Sequence, residues 1–177
     1  ALTAALPLAI ALAATQGKVS TPESELAPTE AQALTGSLVY HLLSGSDYAY
    51  KSLPLDDALS ANIYKNYLES LDENKLFFLQ SDISRFDAYK TGMDDAIKSQ
   101  DIGPAFEIFK VYLQRVDQRV AHARSLLKQD FDFSAKEQYR YDREDAQWAA
   151  SEAELDALWL QSVKNDVLRL KLAGRPM

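Results

Sequence analysis

The chain has 177 residues, 47% of them hydrophobic and 25% charged, a composition that suits one globular domain and excludes collagen-like, low-complexity and wholly disordered chains. Its 19 Lys+Arg against 26 Asp+Glu give a net charge of −7, which disfavours a general nucleic-acid binder, because such proteins need a basic face. Cysteine is absent, so thiolate zinc sites, iron–sulfur clusters, disulfides and cysteine nucleophiles are excluded, and only His41 and His122 remain to supply imidazole to any metal site or Ser-His-Asp triad.

Residues 1–14, ALTAALPLAIALAA, carry no charge. The run is too short to cross a bilayer as a helix, which takes about 20 residues, so no membrane span is expected. It fits the apolar region of a secretory signal peptide, with Ala11-Leu12-Ala13 as an A-x-A cleavage pattern. The basic region that should precede it is missing, so the start of the protein is expected upstream. The alternative is a short apolar helix of the mature domain. Residues 15–28 turn polar and read as a linker. No cysteine follows the apolar run, so a lipid anchor is not expected.

Thr29, with Gln32 three residues on, forms a capping-box pattern that opens a helix over 29–43. Gly45–Leu53 reads as a loop. A second helix follows Pro54 over 56–71, carrying Ile63, Tyr64, Tyr67, Leu68 and Leu71 at helical spacing, with Asp56 as its cap. Asp72–Lys75 is a turn, and the apolar Leu76–Leu79 leads to Ser81 as a second N-cap. The third helix is predicted over 82–99, through Ile83, Phe86, Tyr89, Met93 and Ile97, with a bend at Gly92.

Gly103-Pro104 opens the fourth helix. Its Phe106, Phe109, Leu113, Val116, Val120, Ala123 and Leu127 step by alternating threes and fours, a three-heptad seam that fits an intramolecular helical hairpin or a coiled coil. Residues 128–150 break this rhythm. Phe131-Asp132-Phe133 and Tyr139-Arg140-Tyr141 alternate with period two and allow a short extended piece. Ser151 and Glu154 form another capping box. A last helix over 152–173 carries Leu155, Trp159, Val163, Val167 and Leu170, and Gly174 stops it. The fold class is therefore all-α, about five helices in a bundle-like domain.

Few residues carry chemistry. Ser125-Leu126-Leu127-Lys128 matches S-x-x-K, but Lys128 sits at a helix end beside Gln129 and Asp130, where it is too solvated to act as a base. Asp130, Asp132, Asp142, Glu144 and Asp145 are acidic neighbours without the turn glycine of a calcium loop, and read as a solvated segment pairing with Arg140 and Arg143. The doublets Asp56-Asp57 and Asp94-Asp95 diverge by about 100° on a helix and share no proton. His122 falls at an outer position, and His41 lies near a helix end. No catalytic, cofactor-binding or metal-binding residue is identified, and no cofactor is expected.

Two stretches are familiar: Pro54–Ile83, PLDDALSANIYKNYLESLDENKLFFLQSDI, and Phe131–Gly174, with FDF, YDRE, SEAELDALW and VKNDVLRLKLAG. With the intervening PAFEIFKVYLQRVDQRVAHARSLL, they resemble the N-terminal helical region of bacterial tail-specific, or carboxy-terminal processing, periplasmic serine proteases. The resemblance covers residues 29–174. The family commonly reads A-P-W-P before its last helix, where this chain has Ala146-Gln147-Trp148-Ala149 and lacks both prolines. The resemblance implies a parent serine endopeptidase with a Ser–Lys dyad and a PDZ domain, both following the part seen here and absent from this chain. That parent degrades or trims envelope proteins from apolar C-termini in the Gram-negative periplasm. The helical module is then non-catalytic: it encloses the proteolytic core and offers a surface for an adaptor protein. Its partners are the downstream PDZ and protease domains, protein substrates and that adaptor. The alternative is a stand-alone secreted helical binding module without protease activity.

The last helix carries a second apolar set, Leu158, Leu168 and Leu172, besides its inward stripe. One stripe suffices to bury a helix against its own domain. The second face is expected either to receive segments downstream of Met177 or to be covered by an N-terminal helix. Residues 157–177 are locally basic through Lys164, Arg169, Lys171 and Arg175, and residues 128–156 are acidic, so the two regions are expected to pair.

Overall fold

The computed structural model describes residues 26–44 and 54–174. Within them are six helices: α1 (Glu30–Ser44), α2 (Asp57–Asp72), α3 (Gln80–Phe86), α4 (Met93–Lys98), α5 (Gly103–Leu126) and α6 (Glu152–Leu172). The segment 1–14, most of the polar linker and the whole Gly45–Leu53 loop lie outside the described residues. No strand forms among the described residues; one isolated parallel bridge joins Leu79 to Ala149.

Local signals place the helix starts. The Gln32 amide N–H donates to Thr29 Oγ1 while the Gln32 side chain accepts from the Thr29 N–H, closing the box at the head of α1. Asp56 caps α2 by accepting the Leu59 N–H at 2.9 Å. Ser151 caps α6 through the Glu154 N–H at 3.2 Å. The Glu154 carboxylate reaches past the expected partner to the Ala150 N–H at 2.8 Å.

The single helix expected over 82–99 is two. Ser81 is not its cap: α3 starts two residues earlier than expected, at Gln80 after Leu79, whose N–H donates to Asp82 at 3.0 Å. α3 tightens into a 3-10 turn at Asp87–Tyr89, and α4 restarts after Gly92. The break has a distant cause. Ser60 of α2 is fully buried. Its Oγ donates to the Lys90 carbonyl at 3.0 Å and accepts the Met93 N–H at 2.9 Å, so α2 caps α4 from the side.

α2, α3, α4 and the first half of α5 enclose a core of Tyr64, Leu68, Phe78, Ile83, Phe86, Met93 and Ile108. Its polar anchor is the α2–α3 turn. Asp72 is 2% exposed and accepts the N–H groups of Leu76, Phe77 and Phe78 at 2.7, 3.1 and 3.0 Å. Trp148 Nε1 donates to the same carboxylate at 3.1 Å, and Trp159 Nε1 donates to the Leu76 carbonyl at 2.6 Å. Lys75 takes a left-handed φ of 56° and lays its ammonium 4.8 Å from the centre of the Trp148 ring. The turn at Ala146–Ala149 is thus held by Trp148 and by the Gln80 N–H donating to the Ala149 carbonyl at 2.9 Å.

α5 and α6 do not form an antiparallel hairpin; they run side by side in the same direction. Arg115 reaches Glu152, Arg119 reaches Glu152 and Asp156, and Leu126 packs with Val163 and Val167, so the numbers rise together. The segment after α5 makes this possible by returning along α6 as an irregular connector. Phe131 and Phe133 pack on the Val163–Val167 cluster. Tyr139 and Tyr141 reach Ser162 and Asn165. The alternating aromatics thus lie on a helix and pair with no strand. Nor is the heptad seam the buried line of α5: Ile108, Arg119 and Leu126 are.

Replacing Asp72 by Ala orphans three backbone donors and one indole, at roughly 1 kcal/mol or more each. A loss near 4 kcal/mol lowers the melting temperature by about 8–16 °C in a domain of this size. Asp72→Asn retains one carbonyl acceptor and falls less. Thermal melts followed by circular dichroism check both.

Burial raises the hydroxyl pKa of Tyr64, Tyr67 and Tyr112 above the ordinary tyrosine range. Tyr64 is pushed further by the neighbouring Asp87 carboxylate. A proton held more tightly in the folded state gives stability that is complete below about pH 10 and falls as pH rises beyond it. Spectrophotometric titration of the chain's 9 tyrosines should find these three ionising at higher pH than the ordinary tyrosine range. Tyr64→Phe should flatten the alkaline fall in stability.

Candidate docking surface

α6 divides along its length. Its first half turns Leu155 inward beside Leu79 and Ala149, with Leu158 and Trp159 packed against them. Leu158, expected on the second face, therefore sits against this core. Further along, Val163 and Val167 face α5 and the connector. Leu170, expected in that inward stripe, is 41% exposed, because the stripe drifts around the helix beyond Val167. Leu160 is 41% exposed on a different side of the helix, and the outward face holds Leu168 and Leu172, with Leu172 79% exposed. A cleft of about 110 Å³ lies beside it, lined by Phe133, Tyr139, Gln161, Lys164 and Leu168 among others.

Charge surrounds these leucines. Lys164 Nζ meets Glu137 at 2.7 Å, one realised contact between the basic end and the acidic segment. Lys171 Nζ lies 4.8 Å from the Phe133 ring centre. Among the described residues the Arg169 side chain pairs only with Asp166 of its own helix, at 3.6 Å. The helix stops at Gly174, whose φ of 66° suits glycine and whose N–H returns to the Lys171 carbonyl. These cations also suit the negative end of the helix dipole.

α1 carries a second exposed apolar face that the sequence reading missed. Ala33 and Ser37 are buried, α1 packs on α4, and Leu34, Leu38, Val39 and Leu42 are about half exposed. The i, i+4, i+8 spacing of the three leucines was the available signal.

The remaining candidates form no catalytic grouping: Ser125 and His122 meet only through a side chain-to-backbone bond. Ser125 Oγ donates to the His122 carbonyl at 2.7 Å, and Ser125 and Lys128 are both exposed. His122 is not an outer residue: its Nδ1 lies 3.6 Å from Asp156, which α6 brings against α5. His41 is exposed in the last turn of α1. Asp94 is buried and bonded by the Lys98 ammonium, which holds its carboxyl below the usual range, while Asp95 is exposed. The acidic segment does not pair with its arginines. Arg143 bonds Asn74, Arg140 donates to the Asp142 carbonyl, and Asp132 accepts the Ser134 N–H. Among the described residues no group of three or more His, Asp or Glu side chains is placed to hold a metal ion, and no helix is long and apolar enough to cross a membrane.

The strongest polar constellation is one the sequence did not single out. Arg115 bridges Asp82 and Glu152, and Arg119, 5% exposed, bridges Glu152 and Asp156. Two carboxylates one turn apart on α6 hold the Arg119 guanidinium, as a buried charge requires, while its Nε is buried without a partner among the described residues. Its carboxylate partners are 49% and 42% exposed, and the network joins α3, α5 and α6.

Comparison with known proteins agrees with this architecture. The profile of the tail-specific protease N-terminal domain matches residues 40–177. The tail-specific protease of Haemophilus influenzae is 38% identical over 127 residues, covering 71% of this chain and 18% of that protein. This chain thus spans under a fifth of the length of that relative. The described part of the matched region holds α2–α6, with the Asp72 turn and the arginine network at its centre, and the chain belongs to the family of tail-specific protease N-terminal domains.

Proposed function

We propose that this chain is the non-catalytic helical portion of a periplasmic serine endopeptidase that trims or degrades envelope proteins from apolar C-termini. The single observation behind this reading is the family match over residues 40–177 together with a relative of which the chain covers 18%. The signal-like residues 1–14 support export to the periplasm. The exposed leucines at the end of α6 support docking against PDZ and protease segments that follow in the parent. In that role the module walls off the proteolytic core, and its outer helices offer a seat for an adaptor.

The gene beyond residue 177 is the direct test. An open frame continuing into PDZ and protease sequence is expected; a stop codon there would favour a stand-alone secreted binding module. Osmotic-shock fractionation should find the parent in the periplasm, and a cytoplasmic parent would overturn that part.

Replacing Leu168 and Leu172 together by Ser should raise the solubility of this chain and move its melting temperature by no more than about 2 °C, since the sites are exposed. In the parent the same pair should lower activity on an unfolded substrate with an apolar C-terminus. A fall of many degrees in the chain alone would place these leucines in its own core and end the docking idea.

A further inference from the structure

Most of the heptad stripe of α5 lies outside the fold's buried clusters, although Ala123 packs on the Val163–Val167 cluster and Phe109 stacks on Tyr112. Phe106, Phe109, Leu113, Val116 and Val120 belong to none of the three buried clusters found among the described residues. The first four are half-buried on the helix flank, and Val120 is 38% exposed. At 100° per residue the stripe is centred roughly 110° around the helix from the line through Ile108, Arg119 and Leu126. It is thus a second apolar face, beside the one α5 uses for its own domain.

Phe106, Leu113 and Val120 occupy a positions, and Phe109, Val116 and Ala123 occupy d positions. Lys110 and Asp117 then both fall at e. Lys110 meets only Glu107 of its own helix, at 3.0 Å, and Asp117 is exposed and in no ion pair among the described residues. An antiparallel pair of helices layers a against d of its mate. In the self-matching register Leu113 meets Val116 of a second copy, and Phe109 meets Val120. The same register sets Lys110 beside Asp117 of the second copy and, by symmetry, Asp117 beside Lys110.

The flanking charges are therefore complementary to themselves, as an isologous two-fold contact requires. A parallel pair would set e against g, and the g residues Tyr112 and Arg119 are turned into the domain.

We propose that α5 is a self-association face, on which two copies of this chain pair antiparallel through the Phe109–Val120 stripe in a register set by reciprocal Lys110–Asp117 contacts. A seam of three heptads is short, so the dimer is concentration-dependent. The inference is independent of the proteolytic reading.

Sedimentation equilibrium at low salt over a concentration series tests it. A reversible dimer is expected. Asp117→Lys should weaken it about threefold to tenfold by setting like charges together twice, and Lys110→Asp with Asp117→Lys should restore it. Leu113→Asp should abolish it, with circular dichroism reporting the fold; if that variant unfolds, the exposed charge variants decide alone. A chain that is monomeric throughout, or a dimer indifferent to the charge exchange, overturns the proposal. So does a dimer removed by Leu168→Ser with Leu172→Ser and not by the α5 variants.

Discussion

Four N–H groups converge on the carboxylate of Asp72, three from the backbone that follows it and one from Trp148. An aspartate at the end of a helix faces the negative pole of the helix dipole, where an anion is unfavourable. Here it is buried as well, which adds a desolvation cost. Charge-assisted bonds to N–H donors offset both. The donors belong to the residues that must change direction: Leu76 to Phe78 turn back under α2 and deliver Phe78, fully buried, to the core. The α2–α3 turn, the position of α6 and the docking of the connector all depend on that one anion keeping its partners.

The second constraint is the arginine network. Arg115 and Arg119 replace what would be leucines in an ordinary helix interface. Glu152 and Asp156 are partly solvated, so their Coulombic gain is modest, whereas Asp82 is buried and an orphaned Arg119 would be a buried charge without compensation. The network thus serves orientation more than stability. It fixes the first turns of α6 against the middle of α5 and selects the parallel arrangement over the hairpin that a simple apolar seam would permit.

What was legible in the sequence is what is local. Thr29 with Gln32, Asp56, Ser151 and Gly174 mark helix ends through bonds spanning three or four residues, and all four sit at helix ends. The family resemblance was legible because whole phrases occur in order. The bend expected at Gly92 falls where α4 begins, but the full break between α3 and α4 was not legible, since the group that holds it is Ser60, 33 residues from the N–H it captures. The inward face of α5 was misread because periodicity favours the cleaner apolar stripe, and nothing in spacing says that arginines will be buried against carboxylates from another helix. His122 was placed outside for the same reason. Leu158, Leu168 and Leu172 looked alike in sequence. They differ because the core beneath α6 ends near Val167, a boundary set by the connector.

The chain's 2 tryptophans both lie beyond residue 147, and both give their indole N–H to the single turn that follows α2, across 76 and 83 residues of chain. One indole stacks beneath the Lys75 ammonium, and the other meets Phe77 edge-on. Intrinsic fluorescence in this protein is therefore a two-probe report on one event, the closing of the C-terminal half onto the α2–α3 turn. It carries no direct signal from α1, whose departure from α4 would pass unseen by either indole.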